Sequence, residues 1–471
     1  MNKKILAVHF KFHESDGVSI IANENHRVLR KMGYDVRECS MDAVGGLKLQ
    51  ELDYNSLENN DIRNKIFQGN SGDQYEAGDE EKLILELRTK ASEIQKKVEE
   101  YIDREQIAMI HIHNLFSLPL HIASTLAFYE IIKARTSIRA ILHHHDFWWM
   151  GERINIFKTR YKKIMSLLEE MFPHPFGNAV HIRHLVINSL DRDELRKRKN
   201  IQADILTDCL DFNAVTVTSP EHSEFRNRFG IGEDDLVAGV MTRITPRKAI
   251  EFAIQFIADL SKKRGELENI SGGIGPKARK FNKNSRIILL LPQNLTNNAY
   301  QTYLDTLYQY GEKLGVEIKH IADSIVADSK YDGGNMMYAE KFPFFSTYDH
   351  IDLFLYPTIQ EGFGNQLLEA VWKNFIPIMF EYPVYLKDIS PVIKHIISLG
   401  KSREDFEENL QNKVKVLKPE LVNLAVAKTI EMLTSPDDSK RKTKENFDAA
   451  YRVYDTEAVT KKLVTYLSPT T

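Results

Sequence analysis

The sequence predicts an α/β protein made of two parallel-sheet domains that face a cleft. Apolar, strand-like runs alternate with helical patterns from Lys4 onward, and the same alternation restarts at Leu236. The 471 residues are enough for two ordinary cores. The run Ile351-Asp-Leu-Phe-Leu-Tyr-Pro357 passes through a glycine-containing turn into a helical pattern, a strand–turn–helix arrangement at the end of a strand where α/β sheets bind ligands.

The first half opens with the short apolar run Ile5–Phe10, read as a core strand because it is too brief for a signal peptide. A loop, Ser15-Asp-Gly-Val-Ser19, leads to a helical pattern through Ile20, Ile21, Val28 and Leu29. Gly33 then ends it before the strand-like Tyr34–Arg37. Residues 41–106 are polar and helical in pattern, either an insertion or a solvated helical face. Strand candidates follow at 107–113, 138–143, 179–188 and 215–218, with a helix through Ala123–Ile132. The second half offers strands at 236–241, 287–291, 316–320 and 351–356. Between them, residues 261–285 mix lysines with glycines, the composition of a mobile surface loop. The tail from Arg441 to Leu467 reads as two helices. The boundary falls near 212–219, giving domains at 1–215 and 216–440 and a C-terminal segment at 441–471.

Composition narrows the function classes. With 63 basic and 66 acidic side chains the net charge is −3, which gives no support for bulk nucleic-acid binding. No run approaches the roughly 18 apolar residues of a membrane span. Cys39 and Cys209 stand far apart without metal-ligand spacing, so neither a disulfide framework nor a cysteine metal site is expected, and a reducing cytoplasm fits best.

The most informative segment is Glu361-Gly-Phe-Gly-Asn-Gln-Leu-Leu-Glu369. Gly362 and Gly364 let backbone come close to a ligand, and the free N–H groups of a first helical turn bind oxygens or anions. Glu361 precedes the helix and Glu369 lies inside it, so both can reach one cleft while meeting different parts of a ligand. Carboxylates that meet hydroxyls suggest a sugar and a ribose. Two glutamates at this spacing also arise by chance, and an early helical Glu can serve only the macrodipole.

This segment resembles the E-x7-E signature of glycosyltransferase family 4, whose members are retaining, nucleotide-sugar-dependent enzymes of the GT-B fold. The resemblance implies that Glu361 faces the donor sugar and Glu369 binds the ribose. The backbone of Gly362, Phe363, Gly364 and Asn365 would hold sugar hydroxyls or phosphate. Arg243 and Lys248, in Thr242-Arg-Ile-Thr-Pro-Arg-Lys-Ala249, match the family's Arg-x4-Lys pair, which neutralises the leaving diphosphate in place of a divalent metal. Arg247 between them is a further candidate contact. Cations are disfavoured at a helix N-terminus, so some other reason must place them there.

His145 and Asp146 are similar to the family's His-Asp after a first-domain strand, where the His contacts the donor sugar. His143 and His145 share a strand face, as do His111 and His113, so a two-by-two histidine metal site is geometrically conceivable. The resemblance requires no ligated metal, and none is expected. Trp148, Trp149, Glu152 and Arg153 follow; the aromatics either stack on a sugar or bury a domain edge. Ser15–Ser19 resembles the family's N-terminal glycine loop, with Gly17 approaching the donor. Asp16, Asp146, Trp148, Trp149 and Arg153 are assigned to the acceptor side. Val186–Ser189 and Asp208–Phe212 resemble a further family turn, except that Asp208 stands where Asn is usual. A pattern of Asn446, Tyr451 and Val459 implies a tail that crosses back to the first domain.

The implied reaction is hexosyl transfer from a nucleotide-diphosphate sugar of UDP-glucose or GDP-mannose type to the hydroxyl of a small-molecule or glycan acceptor. It retains anomeric configuration and needs no tightly bound cofactor. Segments 138–153, 243–251 and 382–389 look most like members that build small glycosides such as mannosylglucosylglycerate. The alternatives are a GT-B epimerase or phosphorylase, and a non-catalytic nucleotide-sugar-binding subunit. Base, sugar, acceptor and oligomeric state are left open, because they depend on loop shape.

Overall fold

The computed structural model describes residues 3–13, 17–68, 78–151, 153–214, 222–295, 300–328, 341–409 and 414–467. The strand candidate at 215–218 lies outside them. The chain forms two compact units, Met1–Asp211 with Thr456–Thr471, and Phe212–Asp455.

In the first unit the expected alternation is present. β1 (Lys4–Val8), α1 (Gly17–Lys31), β2 (Asp35–Ser40), β3 (Leu47–Lys48), α2 (Leu57–Arg63), α3 (Asp79–Glu105), β4 (Met109–His113), α4 (Ile122–Ala134), β5 (Arg139–His144), α5 (Arg153–Ile156), α6 (Lys162–Met171), β6 (Ile182–Val186), α7 (Ser189–Lys199) and β7 (Ala203–Ile205) follow in order. The strands make one sheet in the order β3-β2-β1-β4-β5-β6-β7, and every pairing is parallel. β4 is buried along its whole length, as a strand covered on both faces must be. One face carries Leu6, Val8, Ile110, Ile112 and Leu142 in a core shared with α3 and α4. The other carries Ile5, Ala7, Met109 and Ile141 beneath α1 and the terminal helix. Within the 41–106 segment, α3 buries Leu83, Leu87, Ala91, Ile94, Val98 and Ile102 at helical spacing. It is an amphipathic layer of the unit with only its outer face solvated.

The second unit repeats the plan with α8 (His222–Arg228), β8 (Leu236–Gly239), α9 (Ile250–Lys262), β9 (Ile287–Leu291), α10 (Gln301–Leu314), β10 (Glu317–His320), the short parallel pair β11 (Ile325–Val326) and β12 (Phe342–Pro343), β13 (Leu353–Tyr356), α11 (Asn365–Trp372), β14 (Ile378–Phe380), β15 (Ile397–Gly400), the antiparallel pair β16 (Phe406–Asn409) and β17 (Val414–Leu417), α12 (Pro419–Thr434) and α13 (Pro436–Tyr454). Its main sheet is parallel, in the order β10-β9-β8-β13-β14-β15. Chain order reverses between β8 and β13, so the turns leaving these neighbouring strands emerge side by side at a topological switch point.

Two expectations are corrected. The 261–285 segment is tied down and not a free surface loop. Leu267, Ile274 and Phe281 are buried, Arg279 pairs with Asp352 at 3.0 Å, and Lys277 donates to the carbonyl of Asp349 at 2.7 Å. The apolar residues scattered among its lysines anchor it. Of the two tail helices, α13 packs on α11 and α12 within the second unit, and only α14 (Thr456–Leu467) joins the first. There Val459, Leu463 and Leu467 enter the core, and Thr460 Oγ1 donates to Asn25 Oδ1 at 2.8 Å. No helix among the described residues is long and apolar enough to cross a membrane.

Candidate functional site

The switch point of the second unit gathers most of the singled-out residues. After β8 the chain makes a short 3-10 turn, Pro246–Lys248, then turns sharply at Ala249 (φ +46°) into α9. After β13 it runs through Thr358–Gly364 into α11. The two stretches are laced together: Ile359 N–H donates to Arg247 O at 3.1 Å, and Arg247 Nη1 donates to Gln360 O at 2.8 Å and to Glu361 Oε2 at 3.0 Å. Lys248 Nζ pairs directly with Glu361 Oε1, and Thr358 Oγ1 donates to the same oxygen at 3.1 Å.

The Lys248–Glu361 pair is nearly sealed from solvent, with side chains 5% and 9% exposed. Burial by itself would raise the Glu361 carboxyl, but Lys248 and then Arg247 outweigh it and hold the group at about 2. Burial pulls the Lys248 ammonium down to about 8 despite Glu361, with Arg247 and Arg243 adding like-charge repulsion. Arg243 is exposed and forms no ion pair among the described residues, so its guanidinium is free to meet an anion.

Gly364 takes φ +117° as the residue before α11. A Cβ there would lie 2.1 Å from the Tyr382 hydroxyl, so only glycine fits. That hydroxyl donates to Phe363 O at 2.6 Å and fixes the turn, while the Phe363 ring is buried against Tyr454. No side chain caps α11. Its opening turn, beginning at Asn365, therefore presents backbone N–H groups as an anion or hydroxyl site beside Gly362 and Glu361. Glu369, one turn in, accepts from Tyr348 Oη. Burial pushes its carboxyl up to about 7 against that hydrogen bond.

In the first unit, His145 follows β5. Its N–H donates to Asn114 Oδ1 at 2.8 Å, its Nε2 lies 3.1 Å from His113 Nδ1, and its Nδ1 lies 3.6 Å from Asp208 Oδ1. The substituted Asp208 therefore faces the histidine. Asp146 accepts from Arg153 Nη1 at 2.6 Å. Gly17 is the exposed first residue of α1, while Asp16, with Ser15 and Glu152, lies outside the described residues. The two tryptophans are core residues, not sugar-facing platforms. Trp148 Nε1 donates to Phe172 O at 2.9 Å, and Trp149 stacks on Phe147 at 4.6 Å under the Arg198 guanidinium. Both are buried members of the first unit's large apolar core.

Sequence reasoning underrated Arg247 and missed Thr358, Tyr348 and Tyr382. Thr358, three residues before Glu361, was the only one with a local signal. The tyrosines reach the site from elsewhere in the fold.

No protein-family model matches the chain. It is 30% identical over 424 residues to the mannosylglucosylglycerate synthase of Petrotoga mobilis, covering 88% of this chain and 92% of that one. Among solved structures it resembles a glycosyltransferase from Rickettsia africae, with a TM-score of 0.57 at 12% identity over 98% of this chain and 97% of the other. It also resembles Anabaena HepE in complex with UDP-glucose, with a TM-score of 0.55 at 13% identity over 98% and 99%. The fold is GT-B.

Proposed function

The chain belongs to the family of the mannosylglucosylglycerate synthases and is a GT-B glycosyltransferase, and from that premise we propose that it moves a hexosyl group, with retention, from a nucleotide-diphosphate sugar to a hydroxyl of a small glycoside. The observation that carries this reading is the closure of Lys248 and Arg247 on Glu361 at the rim of the Gly362–Asn365 turn. The relative's name points to a mannosyl group and a glucosylglycerate acceptor, and UDP-glucose in the HepE complex supports a nucleotide-sugar donor of UDP-glucose or GDP-mannose type.

In this mechanism the diphosphate takes its charge partners from Arg243, Arg247 and Lys248, so that these cations, and not a divalent ion, neutralise the leaving group. The α11 opening amides hold phosphate or sugar oxygens, and ionised Glu369 accepts from the ribose hydroxyls. Glu361, kept anionic by its cations, positions the sugar. The bond between the anomeric carbon and the phosphate oxygen breaks as the acceptor oxygen bonds the same face, and the acceptor proton passes to the departing phosphate oxygen. Positioning and electrostatics do the catalysis, with no protein nucleophile. His145 and Gly17 are assigned to the donor, and Asp16, Asp146 and Arg153 to the acceptor, on the family resemblance. Cys39 and Cys209, buried and in no disulfide, suit a cytoplasmic enzyme.

A panel of UDP-, GDP- and ADP-sugars scored by thermal shift, followed by turnover with glucosylglycerate, tests the reading. One donor should raise the melting point, Lys248→Ala and Glu369→Ala should shrink that rise, and Glu361→Ala should lose turnover more than binding. Parent-like turnover by all three variants would overturn the roles.

A further inference from the structure

The first unit holds an unusual concentration of imidazoles under α1. His111 and His113, two apart on β4, point to the same face of the sheet, and His26 of α1 comes down on them with ring centroids 6.3 and 5.8 Å away. All three are fully buried. Both ring nitrogens of His26, both of His111 and Nε2 of His113 have no hydrogen-bond partner. Buried polar atoms are normally satisfied, so five orphaned nitrogens in one place call for a ligand.

We propose that His26, His111 and His113 bind one late first-row divalent cation of the Zn²⁺ class, as a site internal to the first unit whose three ligands are outside the residues assigned to the transfer. One ligand nitrogen from each residue lies within 4.8 Å of the others. Zn–N bonds of about 2.0–2.1 Å in a tetrahedron would need nitrogens roughly 3.3 Å apart, so the rings must draw together on the ion by up to about 1.5 Å. Imidazole-only coordination suits zinc, cobalt, nickel or copper and not magnesium or calcium. The surroundings favour the neutral, metal-binding form, since burial holds all three rings well below the ordinary histidine range.

The neighbours also supply the support that metal-bound histidines use. With Nδ1 of His113 donating to Nε2 of His145 at 3.1 Å, the His113 Nε2 lone pair is left for the metal. The Nδ1 of His145 then faces Asp208 Oδ1 at 3.6 Å, and that oxygen has no hydrogen-bond partner. One tautomer set thus runs from carboxylate through two imidazoles to the cation. A competing trio, His113, His143 and His145, would have to break the His113–His145 contact.

Tag-free protein, stripped with a chelator and then loaded with Zn²⁺, should keep about one ion per chain through desalting and melt at a higher temperature. Co²⁺ should give the intense visible bands of a four-coordinate site, three imidazoles and one water. His26→Leu and His111→Leu should each cut the bound metal about tenfold, while His184→Leu, on the opposite face of the sheet, should keep it. Should the histidine variants fail to fold, X-ray absorption on the zinc-loaded parent counts the ligands directly, and three imidazoles are expected. A parent that retains less than about a tenth of an equivalent, a spectrum with fewer than two imidazoles, or metal loss in His143→Leu but not in His26→Leu would overturn the assignment.

Discussion

The Lys248–Glu361 pair makes a quantitative prediction about what the site contributes to stability and what it contributes to chemistry. Holding the Glu361 carboxyl at about 2, against an ordinary value of 4.5, corresponds to about 3 kcal/mol favouring its ionised form in the folded protein. Lys248 is the larger favourable contributor and Arg247 the smaller, so a double-mutant cycle of Lys248→Met and Glu361→Gln should give a coupling of about 2 kcal/mol at pH 7. Lys248 is nevertheless pulled from 10.5 to about 8, so burying its ammonium costs a similar amount. The double variant should therefore match the parent in stability to within about 1 kcal/mol while losing transfer.

The pH dependence has a definite sign. Glu361 is depressed, so its contribution is fully present above the unfolded value of 4.5 and is lost as pH falls toward 2. Lys248 is also depressed, so its charge, and with it the coupling, is lost as pH rises through about 8. Urea titration of the second unit's transition, with constant slope across the variants, measures the cycle. A coupling below about 0.5 kcal/mol at pH 7, or one unchanged well above pH 8, would refute the reasoning.

Two further outcomes follow from the same site. If, as proposed, the free enzyme needs Glu369 ionised and Lys248 charged, donor kcat/KM should fall below about 7 and above about 8, with Glu369→Gln abolishing the acid limb; a flat profile across that range would count against both roles. Gly364→Ala places a methyl group 2.1 Å from the Tyr382 hydroxyl at φ +117°, so it should cost roughly 2 kcal/mol or more and remove the donor-induced thermal shift, whereas Tyr382→Phe/Gly364→Ala should recover part of the stability.

Much of this architecture was legible in the sequence because parallel sheets buried on both faces write themselves as short apolar runs separated by helices. Glu361 and Glu369 were legible for a related reason: a glycine turn between a strand and a helix restricts where flanking carboxylates can go. Long-range packing was not legible. Whether Trp148 and Trp149 offer a sugar face or fill a core depends on partners later in the chain, the Phe172 carbonyl that accepts the Trp148 indole N–H and the Arg198 guanidinium over the Trp149 ring. The lysines of 261–285 signalled solvent, while Leu267, Ile274 and Phe281, isolated among polar and glycine residues with no strand or helix to mark them as core, decided the outcome.

Arg247 shows the same limit within one motif. The family resemblance favoured Arg243 and Lys248, yet the 3-10 turn at Pro246–Lys248 brings Arg247 onto Glu361 and leaves Arg243 exposed. The arrangement divides three cations between two tasks. Arg247 and Lys248 hold the carboxylate ionised, Arg243 stays exposed, and on the proposed reading Arg243 meets an incoming diphosphate first and the other two join it there. Because a phosphate would compete with Glu361 for Lys248, donor binding should loosen the internal pair as it forms the external one. On that proposal the unfavourable burial of Lys248 would be offset in the complex, where the charge of the leaving group develops.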